Sequence, residues 1–95
     1  MQKFDADNKE FIESIGNSSR IKILATLWKF DEELNVYKIC RHTGLGRKAV
    51  NLHLNKLILN KLVSKKAYGS ITLYTLNERN PKLIALVEFF KKAGL

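Results

Sequence analysis

Apolar residues recur every three or four positions in five stretches of the chain, which is the spacing expected on one face of an α-helix. Asn17 and Asn80 precede two of these stretches, and asparagine favours helix starts because its side chain accepts a bond from a free backbone N–H. Gly16 and Gly44 end two others. The predicted helices cover about residues 7–15, 17–30, 37–43, 47–60 and 81–93.

The pattern changes after the fourth helix, where β-branched and aromatic residues become frequent. Two strands are predicted, Leu62 to Tyr68 and Ile71 to Leu76, joined around Gly69 and Ser70 as a hairpin. A short edge strand is also predicted at Leu34 to Val36. The expected fold class is mainly α with a small antiparallel β-hairpin, in the order α-α-β-α-α-β-β-α.

Only three residues, 44–46, separate the third and fourth helices. A short helix, a tight turn containing glycine and a longer helix form the arrangement of a helix-turn-helix. Leu45 in the turn is expected to point into the core and fix the angle between the two helices. In the fourth helix, Val50, Leu54 and Leu57 form the stripe that should be buried.

Charge is distributed unevenly along the chain. Residues 34–77, called here the acid-free segment, contain eight Lys and Arg residues and no Asp or Glu, whereas the other residues carry nine cations and nine anions. The formal net charge of +8 therefore belongs entirely to this segment. Single lysines commonly solvate a surface, but eight without an acid indicate a polyanionic partner.

Composition limits the class of protein. Ninety-five residues with 45% hydrophobic content and one proline indicate a single folded domain. The chain has no apolar run of about 18 residues and no start typical of a signal peptide, so we expect a cytoplasmic protein without a membrane partner. Cys40 is the single cysteine, which excludes an internal disulfide. The acid-free segment offers no catalytic set, so we do not expect an enzyme.

The helix pair and the hairpin also match a known sequence pattern. Along the chain this pattern reads V-S-x-H-L, then x-x-L, then G-L-V, then a glycine in the wing, and finally Y-x-L. Upstream, residues 17–24 are similar to a second motif, D-P-x-R-x-x-I-L. The matching residues are Val50, Asn51, Leu52, His53, Leu54, Leu57, Lys61, Leu62, Val63, Gly69, Tyr74 and Leu76. Over residues 17–76 the chain thus resembles winged helix-turn-helix transcription regulators, best those of the ArsR-like family.

The chain departs from the metal-sensing branch of that family. This branch places a C-V-C type motif at the start of the first helix of the pair, where residues 33–37 here read E-L-N-V-Y. Cys40, His42 and His53 do not replace it, because positions 40 and 42 project about 200° apart on a helix. We expect no metal and no cofactor, with Cys40 partly buried and His53 packed and hydrogen-bonded.

The face of the fourth helix opposite its buried stripe is suited to the major groove of double-stranded DNA. Arginine and lysine pair with guanine or phosphate, asparagine pairs with adenine, and leucine contacts the thymine methyl. For Asn51 and Asn55 plain solvent exposure is an equal alternative, and for Leu52 packing against a partner is another. The predicted contacts are Arg47, Lys48, Asn51, Leu52, Asn55 and Lys56.

Two further contact regions are predicted. Lys65, Lys66 and Tyr68 precede the tip of the hairpin, which is short and lacks arginine, so phosphate contact is favoured over reading of the minor groove. A core-facing Tyr68 is an equal alternative. Tyr37 and Lys38 at the start of the third helix are predicted to contact phosphate as well.

The terminal helices are predicted to form a homodimer. Apolar residues cover more than half the circumference of the last helix, so a second surface needs a cover, and the same helix of a two-fold mate provides one, as the resemblance also implies. A compact monomer that wraps both ends around its core is the alternative. The predicted dimer residues are Phe11, Ile12, Ile15, Leu83, Leu86, Val87 and Phe90.

The sequence therefore predicts one winged helix-turn-helix domain over residues 1–95, with a core motif at 17–77 and dimerising flanks at 1–16 and 81–95. Its expected function is that of a dimeric, sequence-specific DNA-binding transcription regulator associated with the nucleoid. Two alternatives remain. One is a non-specific architectural or RNA-binding winged helix, and the other is a protein-interaction winged helix within a larger complex.

Overall fold

The structure, a computed structural model, describes residues 6–95, with side chains from Asn8 onward. This part of the chain folds into helices and one two-stranded antiparallel hairpin, and the predicted fold class is confirmed. None of its helices has the length and apolar character that crossing a bilayer requires. The elements are α1 Ala6–Ile15, α2 Ser18–Phe30, α3 Val36–Thr43, α4 Arg47–Leu59, β1 Val63–Tyr68, β2 Ile71–Leu76 and α5 Pro81–Ala93.

Asparagine side chains set the starts of three helices. The Asn17 side chain accepts hydrogen bonds from the backbone N–H groups of Ser19 and Arg20, at 2.9 and 3.1 Å, and so caps α2. Asn35 caps α3 and Asn80 caps α5 in the same way, at 2.8 and 3.0 Å. Each bond satisfies a backbone donor that the first turn of a helix leaves free. The helix starts predicted at Asn17 and Asn80 are confirmed.

The predicted edge strand at Leu34 to Val36 is wrong. Leu34 forms a single bridge, in which its N–H donates to the Tyr74 carbonyl at 3.0 Å and its carbonyl accepts from the Tyr74 N–H at 2.8 Å. The next residue, Asn35, already caps α3, so Val36 is helical. Because the helix begins directly after Asn35, only Leu34 of these three residues pairs with a strand.

The hairpin presents different side chains on its two faces. Val63 pairs with Leu76 and Lys65 with Tyr74, and this face carries the three buried residues of the sheet. On β1 the opposite, outer face carries Ser64, Lys66 and Tyr68. Alternation along a strand therefore places Lys65 and Lys66 on opposite faces of the hairpin.

The core lies where the helices meet this inner face of the hairpin. Helix α2 packs against α1, α3, α4 and β2 and is the centre of the domain. Helix α5 closes the core from one side, and its Phe90 ring lies 5.5 Å from the Trp28 ring, between centroids. The buried apolar residues are Ile23, Leu24, Leu27, Leu34, Ile39, Val50, Leu54, Leu57, Leu62, Val63, Tyr74, Leu76, Leu83, Leu86 and Phe90.

Polar contacts join α1 to α2 and α4. The guanidinium group of Arg20 donates from Nε to the Ser14 carbonyl at 3.0 Å and from Nη2 to the Glu13 carbonyl at 2.8 Å. Its Nη1 lies 3.3 Å from Nδ1 of His53 in α4. The Asn60 side chain, just after α4, donates to the Ser14 hydroxyl. Arg20 thus binds the free carbonyls at the end of α1 and connects them to α4.

Candidate nucleic-acid interface

All six residues predicted to contact DNA from α4 are exposed. The buried stripe of Val50, Leu54 and Leu57 holds the helix against the core and turns the opposite face to solvent. Leu52 on that face is 67% exposed. The exposed residues are Arg47, Lys48, Asn51, Leu52, Asn55 and Lys56. Cationic and amide side chains, the two kinds of hydrogen-bond donor that can contact DNA bases, thus lie along one face of α4, and this helix contains no acidic residue.

Leu52 also lies at the edge of a shallow groove between α4 and α1. Ile12 of α1 and Leu59 of α4 line the same groove, and both are exposed. Leu59 was not among the predicted site residues. Leu59 lies in the last turn of α4 and extends the apolar part of this face towards the end of the helix and α1.

The predicted contacts at the start of α3 are exposed too. Tyr37 is 64% exposed, and the Lys38 side chain also faces solvent. Both follow the Asn35 cap, whose side chain binds the Lys38 backbone N–H. The backbone donor is therefore already used, while the two side chains stay free to contact another molecule.

The hairpin residues are exposed but do not form one surface. Lys66 and Tyr68 lie on the outer face of β1, whereas Lys65 lies on the inner face and reaches solvent beside Tyr74. Tyr68 is 51% exposed, which excludes the core-facing alternative. Lys65 and Lys66 therefore cannot approach a flat surface from the same side of the hairpin.

A carboxylate from outside the acid-free segment reaches the outer face of the hairpin. Oε1 of Glu33 accepts from Nζ of Lys66 at 3.2 Å and from the Tyr68 hydroxyl at 3.3 Å. The hydrogen bond and the negative charge of Glu33 raise the pKa of Lys66 above its ordinary value. Sequence reasoning missed Glu33, whose only signal was its position directly before the acid-free segment.

His53 is packed and hydrogen-bonded, as expected. A guanidinium group only donates, so Nδ1 of His53 must accept from Arg20 and the ring is neutral, with its proton on Nε2. Partial burial, and then the positive charge of Arg20, lower the pKa of His53 below its ordinary value. This ring connects α4 to Arg20 of α2, and Arg20 in turn binds the end of α1.

The predicted dimer residues divide into two groups. Leu83, Leu86 and Phe90 are buried in the core of the protomer, so assigning them to a dimer surface is wrong. The reason is that their spacing forms one helical stripe, and the protomer itself needs that stripe to close its core. Ile12 is exposed, while the others are partly buried: Phe11, Ile15 and Val87.

The exposed apolar residues of α5 are ones that the prediction left out. Ile84 is 51% exposed and Phe89 is 58% exposed. They flank the buried stripe on either side of the helix, and Phe89 keeps its ring 6.1 Å from the ring of Phe90, between centroids. Their signal in the sequence was that they lie outside the three-and-four spacing of the core residues.

The environment of the cysteine is apolar. Cys40 is a free thiol, partly buried against the core. Among the side chains described, those of residues 8–95, no three His, Cys, Asp or Glu come together in a group able to hold a metal ion. The ring of His42 stacks instead on Phe30, with 4.0 Å between the centroids.

Comparison with protein families identifies the helix pair. The model of the bacterial regulatory protein arsR family matches residues 17–65, which is just over half of the chain. The chain belongs to this family. The match runs from the Asn17 cap through α4 into β1, so it covers the predicted DNA-contacting helix entirely.

Solved structures agree with this arsR-family assignment. HlyU from Vibrio cholerae is similar with a TM-score of 0.80 and 26% identity, over 98% of this chain and 97% of that one. The transcriptional repressor PagR of Bacillus anthracis has a TM-score of 0.74 and 27% identity, over 88% and 92%. No curated protein sequence matches the chain.

A third structure supports the fold alone. The winged helix-turn-helix DNA-binding domain Mb0332 from Mycobacterium bovis, described as homodimeric and as a possible ArsR-family regulator, has a TM-score of 0.76 and 18% identity, over 99% of this chain and 90% of that one. Membership of the arsR family makes the chain a DNA-binding transcription regulator, and the solved structures give it the winged helix-turn-helix fold. Its family is one of regulators rather than of enzymes.

Proposed function

We propose that this protein regulates transcription by binding a specific double-stranded DNA sequence as a homodimer, without a catalytic activity of its own. The exposed, acid-free face of α4 supports this proposal most directly. In this view α4 lies in the major groove, and the hairpin is the wing that lies along the flanking backbone. Such a regulator acts at the nucleoid in the cytoplasm.

Within α4 the residue types divide between reading and positioning. Arg47, Asn51 and Asn55 have side chains that pair bidentately with guanine or adenine, so we assign them to base recognition. Lys48 and Lys56 carry point charges suited to phosphate, which positions the helix but does not discriminate sequence. Leu52 lies between these residues and is available to a thymine methyl group.

The second contact is proposed for the outer face of the wing. Lys66 and Tyr68 lie together on it, and both donate hydrogen bonds to an anion already. Lys65 extends from the inner face of the hairpin, so it contacts a different part of the DNA backbone or remains solvated. Tyr37 and Lys38 at the exposed start of α3 are proposed to add phosphate contacts.

The proposed dimer uses the exposed apolar residues of the terminal helices. Ile84 and Phe89 on α5 are more than half exposed, and Ile12 on α1 is exposed as well. The homodimeric state of the Mb0332 domain supports the same assembly for this fold. Two-fold symmetry places two recognition helices roughly 34 Å apart, about one turn of DNA.

Selection of bound sites from random duplex DNA tests the sequence specificity. We expect an enriched inverted repeat with half-sites about one turn apart. On that site Asn51→Ala should cost about 1 to 3 kcal/mol of binding free energy, and much less on random duplex, because only the cognate site offers the bidentate pair. Strong, salt-sensitive binding without enrichment would instead favour the architectural alternative.

Sedimentation tests the dimer. The wild type should have twice the 10.9 kDa of one chain, and Phe89→Asp should shift it to the mass of one chain. Ile71→Asp is a matched control, since Ile71 is also an exposed apolar residue but lies on the wing. A wild type that sediments as a single chain would contradict the proposal.

A further inference from the structure

The outer face of the wing carries a complete anion site whose anion is part of the same chain. One oxygen atom, Oε1 of Glu33, accepts from both Nζ of Lys66 and the Tyr68 hydroxyl, at 3.2 and 3.3 Å. A cationic and a neutral donor converging on one oxygen are what a phosphate oxygen also requires. In the proposed function these same two donors contact the DNA backbone.

The backbone holds the carboxylate in this position. Leu34, the next residue, is fully buried and exchanges two backbone hydrogen bonds with Tyr74 of β2. Glu33 therefore starts from a fixed point at the edge of the sheet and extends across its outer face to β1. This placement does not depend on the ion pair alone.

The ion pair itself is weak enough to be exchanged. The side chains of Lys66 and Glu33 are 53% and 33% exposed, so water and salt screen their attraction. A pair of this kind contributes little to folding. A DNA phosphate brings the same charge to the same donors, and the surrounding acid-free surface adds to its attraction.

We propose that Glu33 occupies, in the free protein, the position that a DNA backbone phosphate takes on Lys66 and Tyr68, and that it weakens DNA binding by competing for them. This inference rests on the proposed function. The carboxylate must leave when the phosphate binds, and it then remains beside it as a like charge. Glu33 thereby restrains the non-specific part of the affinity, because phosphate contacts are made on any sequence.

The test compares two neighbouring acids. Glu32 is exposed and forms no ion pair with the described residues, so Glu32→Gln removes the same charge one residue away. Binding of a short random duplex is measured for the wild type, Glu33→Gln, Glu32→Gln, Lys66→Gln and the Glu33→Gln, Lys66→Gln double variant. Circular dichroism of each variant checks that it is folded.

Glu33→Gln should tighten binding about two- to fivefold at about 50 mM salt, and the gain should shrink at about 200 mM. Glu32→Gln should have a clearly smaller effect. In the Lys66→Gln background the gain from Glu33→Gln should be clearly smaller, because only the Tyr68 hydroxyl and the like charge beside the phosphate remain.

Several results would overturn the inference. Equal gains for Glu32→Gln and Glu33→Gln indicate a long-range charge effect, and a gain that is undiminished without Lys66 excludes competition at that residue. Weaker binding by Glu33→Gln shows that Glu33 orients the wing for DNA instead. If the wild type binds its selected site but Glu33→Gln has no effect, this inference alone fails. If no variant binds duplex DNA at low salt, the proposed function fails with it.

Discussion

Helix α4 and the wing both belong to the acid-free segment, yet their charges have different surroundings. No basic residue of α4 forms an ion pair with the side chains of residues 8–95, whereas Lys66 of the wing pairs with Glu33. The absence of acids along a stretch of sequence therefore does not ensure their absence in space. Folding brings Glu33 back onto the wing as the ion-pair partner of Lys66, whereas Glu13 of α1 lines the same groove as Asn55 and Lys56 but forms no ion pair with α4.

The two regions are also anchored differently. Helix α4 is held by a buried apolar stripe and by the contact of His53 with Arg20. The wing is held through the Leu34 bridge to Tyr74 and the Glu33 contacts on its outer face. A firmly anchored α4 and a more exposed wing fit the division between base recognition and backbone positioning that is proposed for them.

The largest expected effect concerns the anchor of α4. Leu54 is buried, so Leu54→Ala should lower the free energy of unfolding by about 2 to 5 kcal/mol through lost burial and a new cavity. Leu52→Ala on the exposed face of the same helix should change it by less than about 0.5 kcal/mol. Urea denaturation of both variants measures the difference. Equal losses would mean that the two faces of α4 are not buried and exposed as described.

The next effect compares the salt dependence of the two contacts. Lys56→Ala should flatten the slope of log affinity against log salt by about one unit if Lys56 meets a phosphate, because Lys56 forms no ion pair with the described side chains. Lys66→Ala should flatten it by less, because Glu33 already compensates the charge of Lys66 in the free protein. Titrations between about 50 and 200 mM salt measure both slopes. An unchanged slope for Lys56→Ala would remove it from the contacts.

The smallest expected effect is the pH dependence of the free energy of unfolding that arises from His53, which anchors α4 through Arg20. The folded state lowers the pKa of His53 below its ordinary value of 6.5, so below that pH the unfolded chain binds more protons than the folded one. The free energy of unfolding should therefore fall as the pH is lowered from about 7.5 to about 5.5.

Substitution of each histidine checks this assignment. His53→Gln should remove most of the pH dependence between these limits, because it removes the titrating ring beside Arg20. His42→Gln, which changes the other histidine of the chain, should leave the dependence in place. Chemical denaturation across the pH range gives the comparison, and a slope that survives in His53→Gln would assign the effect to another group.

Local signals predicted the fold better than they predicted the surfaces. Asn17, Asn80 and Gly44 marked helix ends correctly, because a cap depends on a few residues adjacent in sequence. The exposed face of α4 followed from the stripe of Val50, Leu54 and Leu57. Amphipathic spacing is enough to orient a helix that has a single buried face.

The same reasoning failed on α5, whose apolar residues surround most of the helix. Spacing alone did not distinguish a stripe that closes the protomer core, such as Leu83 and Phe90, from flanking residues such as Ile84 and Phe89. That choice depends on which neighbours are present, here Trp28 of α2. The edge strand at Leu34 was overestimated for a related reason, since its length depended on where Asn35 could start a helix.

Local spacing and composition were enough to predict the order of the helices and the hairpin, the exposed face of α4 and the surplus of positive charge over residues 34–77. The fold was needed to show which apolar residues of α5 are exposed, that Lys65 and Lys66 lie on opposite faces of the wing, and that Glu33 reaches across to Lys66. Such relations join residues far apart in the chain. They depend on packing and on the alternation of a paired strand, which no local pattern records.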